Sequence, residues 1–155
     1  MIVKNNSIIA GEGFEIASIK GSKKLIPHTG YCVLKKNVEI LNNTTICKGL
    51  FREYDTVIEE NVIVDNFVQI AHGVRVGKNS EIAAGVVISG NTTVGENVWI
   101  GPNATISNGL SIGNNAYISL GAVVINNLKD GERVSGNFAY DHHKFMKNFI
   151  QKKLE

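Results

Sequence analysis

The stretch DNFVQIAHGV, residues 65–74, holds the side chains best suited to chemistry in this chain. His72, one of four histidines, stands there among branched apolar residues, with Asp65, Asn66 and Gln69 just upstream. Neutral near pH 7 and able to take a proton, an imidazole suits a general base. A buried structural histidine is the competing reading, and the elements around His72 must decide between the two.

Other constellations are weaker. Cys32 and Cys47 are too few for a disulfide framework or a metal site, which leaves free thiols, and neither sits in a nucleophile motif. A zinc centre would need three of His28, His72, His142 and His143, and the last two lie beyond the repeat described next, so no metal is expected. AGEGF (10–14) contains a Gly-x-Gly, but Ile16 stands where a third glycine belongs, and a turn is the simpler reading. Lys and Arg outnumber Asp and Glu by only two, 16 against 14, too weak a bias for a nucleic-acid partner. No stretch reaches the length of a membrane span, and the opening MIVKNNSIIAGEG lacks the apolar core of a signal peptide, so a cytoplasmic protein is expected.

What positions His72 is a period of six. From Leu34 to Val124, fifteen of the sixteen positions six apart are Leu, Ile or Val, and Arg52 is the exception. Three residues after each comes Asn or Gly in fourteen cases, broken only by Asp55 and Phe67. Four residues after each comes a small or medium side chain such as Val62, Val86 or Ala104. Six is far from a multiple of 3.6 and β-branched residues dominate, so a helix is excluded. Asn and Gly tolerate a positive φ, which marks a repeated turn between short strands. The pattern predicts an all-β parallel β-helix whose coils stack about 4.8 Å apart. His72, two residues after the inward Ile70, then falls at a corner rather than in the core stripe, which favours the base over the structural histidine.

Three divisions follow: 1–33, an irregular segment and first coil; 34–128, the β-helix; 129–155, an exit loop and amphipathic helix. In that last segment Asp141 is the expected N-cap, with Phe145, Met146, Phe149 and Ile150 on one face.

VDNFVQIAHGVRVGKNSEIAAGVVISG (64–90), KKLIPHTGYCVLKKNVEILNNTTI (23–46), DGERVSGNFA (130–139) and GEGFEIA resemble the UDP-3-O-acylglucosamine N-acyltransferases of lipid A synthesis, within the hexapeptide-repeat acyltransferases. The resemblance implies a left-handed β-helix of eighteen residues per coil. On that rule residues 34–128 make a little over five coils without an external loop, with Ile70, Ile88 and Ile106 in one inward column and Arg52 beneath. The family's uridine-binding domain and first coils are expected to be absent, and Gly109 stands where many members carry a second histidine.

The resemblance also assigns roles. The family's catalytic histidine falls on His72, and its oxyanion-stabilising N–H falls on Gly90, one coil later. Asp65, Asn66 and Gln69 would orient the base or the acceptor, or serve as plain corner residues. The implied reaction is acyl transfer from a thioester to an amine or hydroxyl of a sugar, with no bound cofactor. Acetyl-CoA and a nucleotide-linked amino sugar are the expected substrates. Acyl carrier protein with a lipid A precursor is the alternative, and a non-catalytic β-helix scaffold the rival class. A homotrimer with its site between subunits is implied. His28, where the chain joins the repeat, is expected to tolerate substitution and to serve as a control.

Overall fold

The computed structural model describes residues 1–136, 138, 139, 141–144 and 151. Two-residue strands separated by turns wind into a β-helix with three parallel faces. One face stacks seven strands, among them Glu39–Ile40, Ile63–Val64, Glu81–Ile82, Trp99–Ile100 and Tyr117–Ile118. The second stacks six: Ile8–Gly11, Thr45–Cys47, Gln69–Ile70, Val87–Ile88, Thr105–Ile106 and Val123–Val124. The third stacks Cys32–Leu34, Thr56–Ile58, Arg75–Val76, Thr93–Val94 and Ser111–Ile112.

The side-chain rules of the sequence become the core. The apolar hexad residues point inward, so that Ile46, Ile70, Ile88 and Ile106 form one fully buried column. Burying each such side chain contributes about 1.5–3 kcal/mol. The residues four later, such as Val62, Val74 and Val86, fill the corners. Where that position is polar, the backbone satisfies it: buried Ser80 donates to Gly95 O at 3.0 Å and accepts from Val98 N at 3.0 Å. Asn37, Asn61, Asn79 and Asn97 hold positive φ values, and their amides bond coil to coil at 3.1, 3.0 and 3.3 Å. Phe67 adopts the same left-handed turn, at φ 59°, although its type breaks the sequence rule.

The stacking differs from the expected register in two places. At the far end Tyr117 pairs with Arg133 and Ile112 with Leu128, sixteen residues apart. Between Ile63 and Val124 paired strands are eighteen residues apart, as in Gln69↔Val87, Arg75↔Thr93 and Glu81↔Trp99. Below, Gln69 pairs with Thr45 and Ile63 with Glu39, a separation of twenty-four. Ile46, not Arg52, therefore lies beneath Ile70, and the expectation of coils without an external loop fails. Arg52 is exposed in a short 3-10 turn, Arg52–Tyr54, between the second and third faces. The loop is pinned by Tyr31 N donating to Asp55 Oδ1 at 2.6 Å and by Arg52 over the Tyr31 ring. The extra length equals one hexad, so the period runs through it undisturbed.

A second excursion leaves the first coil. Val3 and Ile9 stack beneath Ile40 and Ile46. The chain then departs into an antiparallel hairpin, Ile16–Ile19 against Ser22–Leu25, before returning at Cys32–Leu34. Positive φ at Lys20 and Gly21 closes the hairpin, as a two-residue turn demands. At the far end, 142–144 is helical and Lys144 N donates to Asp141 Oδ1 at 3.1 Å, the cap read from the sequence. Phe145, Met146, Phe149 and Ile150 lie outside the described residues. Among those described, no helix is long and apolar enough to cross a membrane.

Candidate active site

The corner between the second and third faces carries His72. Gly73 makes that corner possible: at φ 68° its N–H donates to Thr56 Oγ1 at 2.9 Å, and a Cβ there would collide with Asn91 Oδ1. One coil above, Asn91 N donates to His72 O at 2.9 Å, and Gly109 N donates to Gly90 O at 2.9 Å. These bonds fix Gly90 over the imidazole. A Cβ on Gly90 would stand 2.8 Å from Cε1 and Nε2 of His72, so only glycine leaves the ring in place. The N–H of Gly90 meets no acceptor among the described residues and is free for a ligand.

His72 lies at a corner, as expected, yet it is only 9% exposed. The cover comes from the hairpin, not from the core. The loop before it, Gly13 to Glu15, folds over the corner and closes a cleft of about 720 Å³. Gly90, Gln69, Cys47, Phe14 and Leu25 line that cleft with the imidazole, a volume in the usual range for small-molecule sites. His72 Nε2 stands 3.9 Å from Glu15 Oε2, while Nδ1 is buried with no hydrogen-bond partner.

A protein-family model described as bacterial transferase hexapeptide (six repeats) matches residues 55–90 and 91–126. The match takes in 72 of the 155 residues, the coils around His72 and Gly90. The chain is 41% identical over 75 residues to UDP-3-O-acylglucosamine N-acyltransferase 1 of Legionella pneumophila, covering 48% of this chain and 21% of that protein. It is 46% identical over 72 residues to UDP-3-O-acylglucosamine N-acyltransferase of Rickettsia typhi, covering 46% and 20%. The matches thus take in about a fifth of those relatives' length. Among solved structures, LpxA from Acinetobacter baumannii superposes with a TM-score of 0.71 at 18% identity, over 92% of this chain and 55% of that one. The acetyltransferase domain of PglB from Neisseria gonorrhoeae gives 0.58 at 22% identity, over 74% and 57%. Both likenesses show the fold, the left-handed parallel β-helix.

The hexapeptide repeat brings His72, Gly90 and Gln69 together and leaves Asp65 and Asn66 elsewhere. Gln69 points outward from its strand, and its Nε2 donates to Cys47 Sγ at 3.3 Å. Asp65 and Asn66 stand one corner earlier, absorbed in local bonding. Asp65 Oδ1 accepts from Asn66 N at 2.7 Å and from Asn66 Nδ2 at 2.8 Å, while Asn66 Oδ1 accepts from Asn42 N at 2.8 Å. Neither lines the cleft.

Residues outside the repeat complete the site, and sequence reasoning missed them. His28, whose side chain is fully buried, packs edge-on against His72, with ring centres 5.3 Å apart. Its Nδ1–H donates to Ile26 O at 3.0 Å, and its backbone N donates to Glu12 Oε2 at 3.0 Å. Glu12 also pairs with Lys48 at 2.7 Å, which with the His28 N–H holds its carboxyl below the usual range. His28 therefore touches the His72 ring from behind without lining the cleft. Burial depresses the pKa of His72, the neighbouring His28 adds to the effect, and Glu15 opposes it. Burial likewise raises the Cys47 thiol and pushes Cys32 up to about 11, so both stay protonated near neutrality.

Proposed function

We propose that this protein transfers an acyl group from a thioester to the amine of a sugar, with His72 as general base. The observation that carries the reading is the stack of Gly90 directly over the His72 imidazole, at the edge of an open cleft. His72 Nε2 takes a proton from the acceptor amine as its nitrogen attacks the thioester carbonyl. The oxyanion that forms accepts a hydrogen bond from the Gly90 N–H, and collapse of the tetrahedral adduct expels the thiolate. Base action of this kind contributes ~10²–10⁴-fold and one oxyanion donor ~10²–10³-fold. Protonated thiols at Cys32 and Cys47 argue against a covalent enzyme intermediate.

The names of the curated relatives support a nucleotide-linked amino sugar as acceptor. Acetyl-CoA is the donor of the reading, with the exposed Phe14 and Leu25 offering apolar contact to its acyl end. An acyl carrier protein thioester is the second donor, favoured by those same names. A cytoplasmic homotrimer completes the reading, and light scattering should then give about 50 kDa, three times 16.8 kDa.

The test is thiol release with acetyl-CoA or an acyl carrier protein thioester, in the presence of UDP-linked glucosamine. His72→Ala should lower turnover by ~10²–10⁴-fold. No release with either donor, or a His72→Ala variant as fast as the parent, refutes the reading.

A further inference from the structure

Two buried imidazole nitrogens in this site have no partner: His28 Nε2 and His72 Nδ1. Buried polar atoms are rarely left unpaired, and each exception calls for a reason. The two belong to rings in edge contact, and their hydrogen-bonding characters can be worked out. A carbonyl only accepts, so the bond to Ile26 O puts a proton on His28 Nδ1. In the neutral ring His28 Nε2 is then a lone pair, an acceptor without a donor. If His72 acts as base through the nitrogen that faces the cleft, its Nε2 must be a lone pair and its proton must sit on Nδ1. That nitrogen is a donor without an acceptor. The two stranded groups are complementary.

We propose that His28 is a positioning residue: its Nε2 accepts the His72 Nδ1–H through one buried water, and thereby fixes the base's tautomer. The inference rests on the functional reading above and extends it to a residue outside the hexapeptide repeat. A line of contacts then runs from Ile26 O through the His28 ring and the His72 ring to the cleft. Gly13 leaves room for the link, because a Cβ there would collide with His28 Nε2. Glu12 Oε2, 3.5 Å from His28 Nδ1, supports the same orientation from behind. When His72 gains a proton, the imidazolium keeps its Nδ1–H directed at His28, so the ring need not turn during the reaction. Without that acceptor the proton is free to move to Nε2, where it occupies the atom that must act as base.

The experiment reads the tautomer itself. Ring nitrogens of ¹⁵N-histidine-labelled protein are observed by NMR at about pH 8, above the histidine reference of about 6.5. Parent, His28→Gln and His28→Leu are compared, and their turnover is measured alongside. In the parent, His72 should show a protonated Nδ1 and a bare Nε2. His28→Gln, whose amide oxygen can replace the acceptor, should keep that tautomer and most of the turnover. His28→Leu should shift His72 toward the Nε2–H form and lose ~10²-fold in kcat with KM little changed. A parent spectrum with Nε2 protonated overturns the proposal. So does a folded His28→Leu that keeps the Nδ1–H tautomer, even if its activity falls. Should His28→Leu fail to fold, the parent and His28→Gln spectra still decide. The spectra need no acyl transfer, so failure of the catalytic reading is seen separately, as absent thiol release.

Discussion

Gly90→Ala separates crowding at the base from loss of the oxyanion donor, because alanine keeps the backbone N–H. The added Cβ would lie 2.8 Å from Cε1 and Nε2 of His72. Carbon contacts are comfortable from about 3.5 Å, so one partner must give by roughly 0.7 Å. The backbone at Gly90 is held through Asn91 N and Gly90 O, which leaves the imidazole to move. Behind it stands the fully buried His28 ring, which limits that retreat. A 1 Å misplacement of a reacting group can cost ~10²-fold. Turnover should therefore fall ~10–10²-fold, a loss of about 1.4–2.7 kcal/mol in transition-state stabilisation. Thiol release measures the rate, and a melting curve checks the fold. Gly136→Ala is the control, since a Cβ there meets nothing within 4 Å. A Gly90→Ala enzyme with parental kcat/KM would refute the placement of the base beneath Gly90.

Burial holds His72 below the usual value of about 6.5, so the acid limb of kcat/KM should lie below that pH. In stability the same shift means that the contribution of His72 is complete above about 6.5 and is lost as pH falls through the folded value; an acid limb at or above 6.5 contradicts both. Ile88→Asp puts a carboxylate between Ile70 and Ile106 in a fully buried column and should cost roughly 3 kcal/mol or more. Arg52→Asp in the exposed loop loses only its stacking on Tyr31 and should cost about 0.5–1 kcal/mol, and equal melting temperatures for the two variants would sink the register. Phe67 holds φ 59° with its side chain 67% exposed, so Phe67→Asn should stabilise by about 1 kcal/mol. A lower melting temperature would show that the ring makes contacts worth more than the strain.

The two breaks in the Asn/Gly rule, Asp55 and Phe67, have opposite structural meanings, and sequence alone could not tell them apart. Asp55 marks a real departure: its carboxylate binds Tyr31 N at the foot of the extra loop. Phe67 marks none. Its turn is imposed by stacked neighbours, with Phe67 N donating to Asn42 O below and Gly85 N donating to Asn66 O from above. A periodic pattern reads side-chain preference, whereas the turn is held by backbone bonds that any L-residue can make at a cost. The same limit hid the loop. An insertion of one hexad preserves phase, and Arg52 was its one apolar-position signal.

The site was legible where it follows the period and hidden where it does not. His72 and Gly90 are a coil apart, so the coil length alone brings them together once the stacking is eighteen. His28, Glu12 and Glu15 come from an excursion whose return path no period describes. Pro27 and Gly13 flank that path, but nothing in their spacing shows that the loop folds back over a corner two coils above its point of departure. The choice first posed for His72, between a structural histidine and a base, assumed that the whole ring has one environment. It has two. Nδ1 is enclosed against His28 under the hairpin, while Nε2 faces the cleft beside Glu15 and Gly90. Under the proposed mechanism, burial on one side holds the proton away from the other, so in this corner enclosure is no argument against a base.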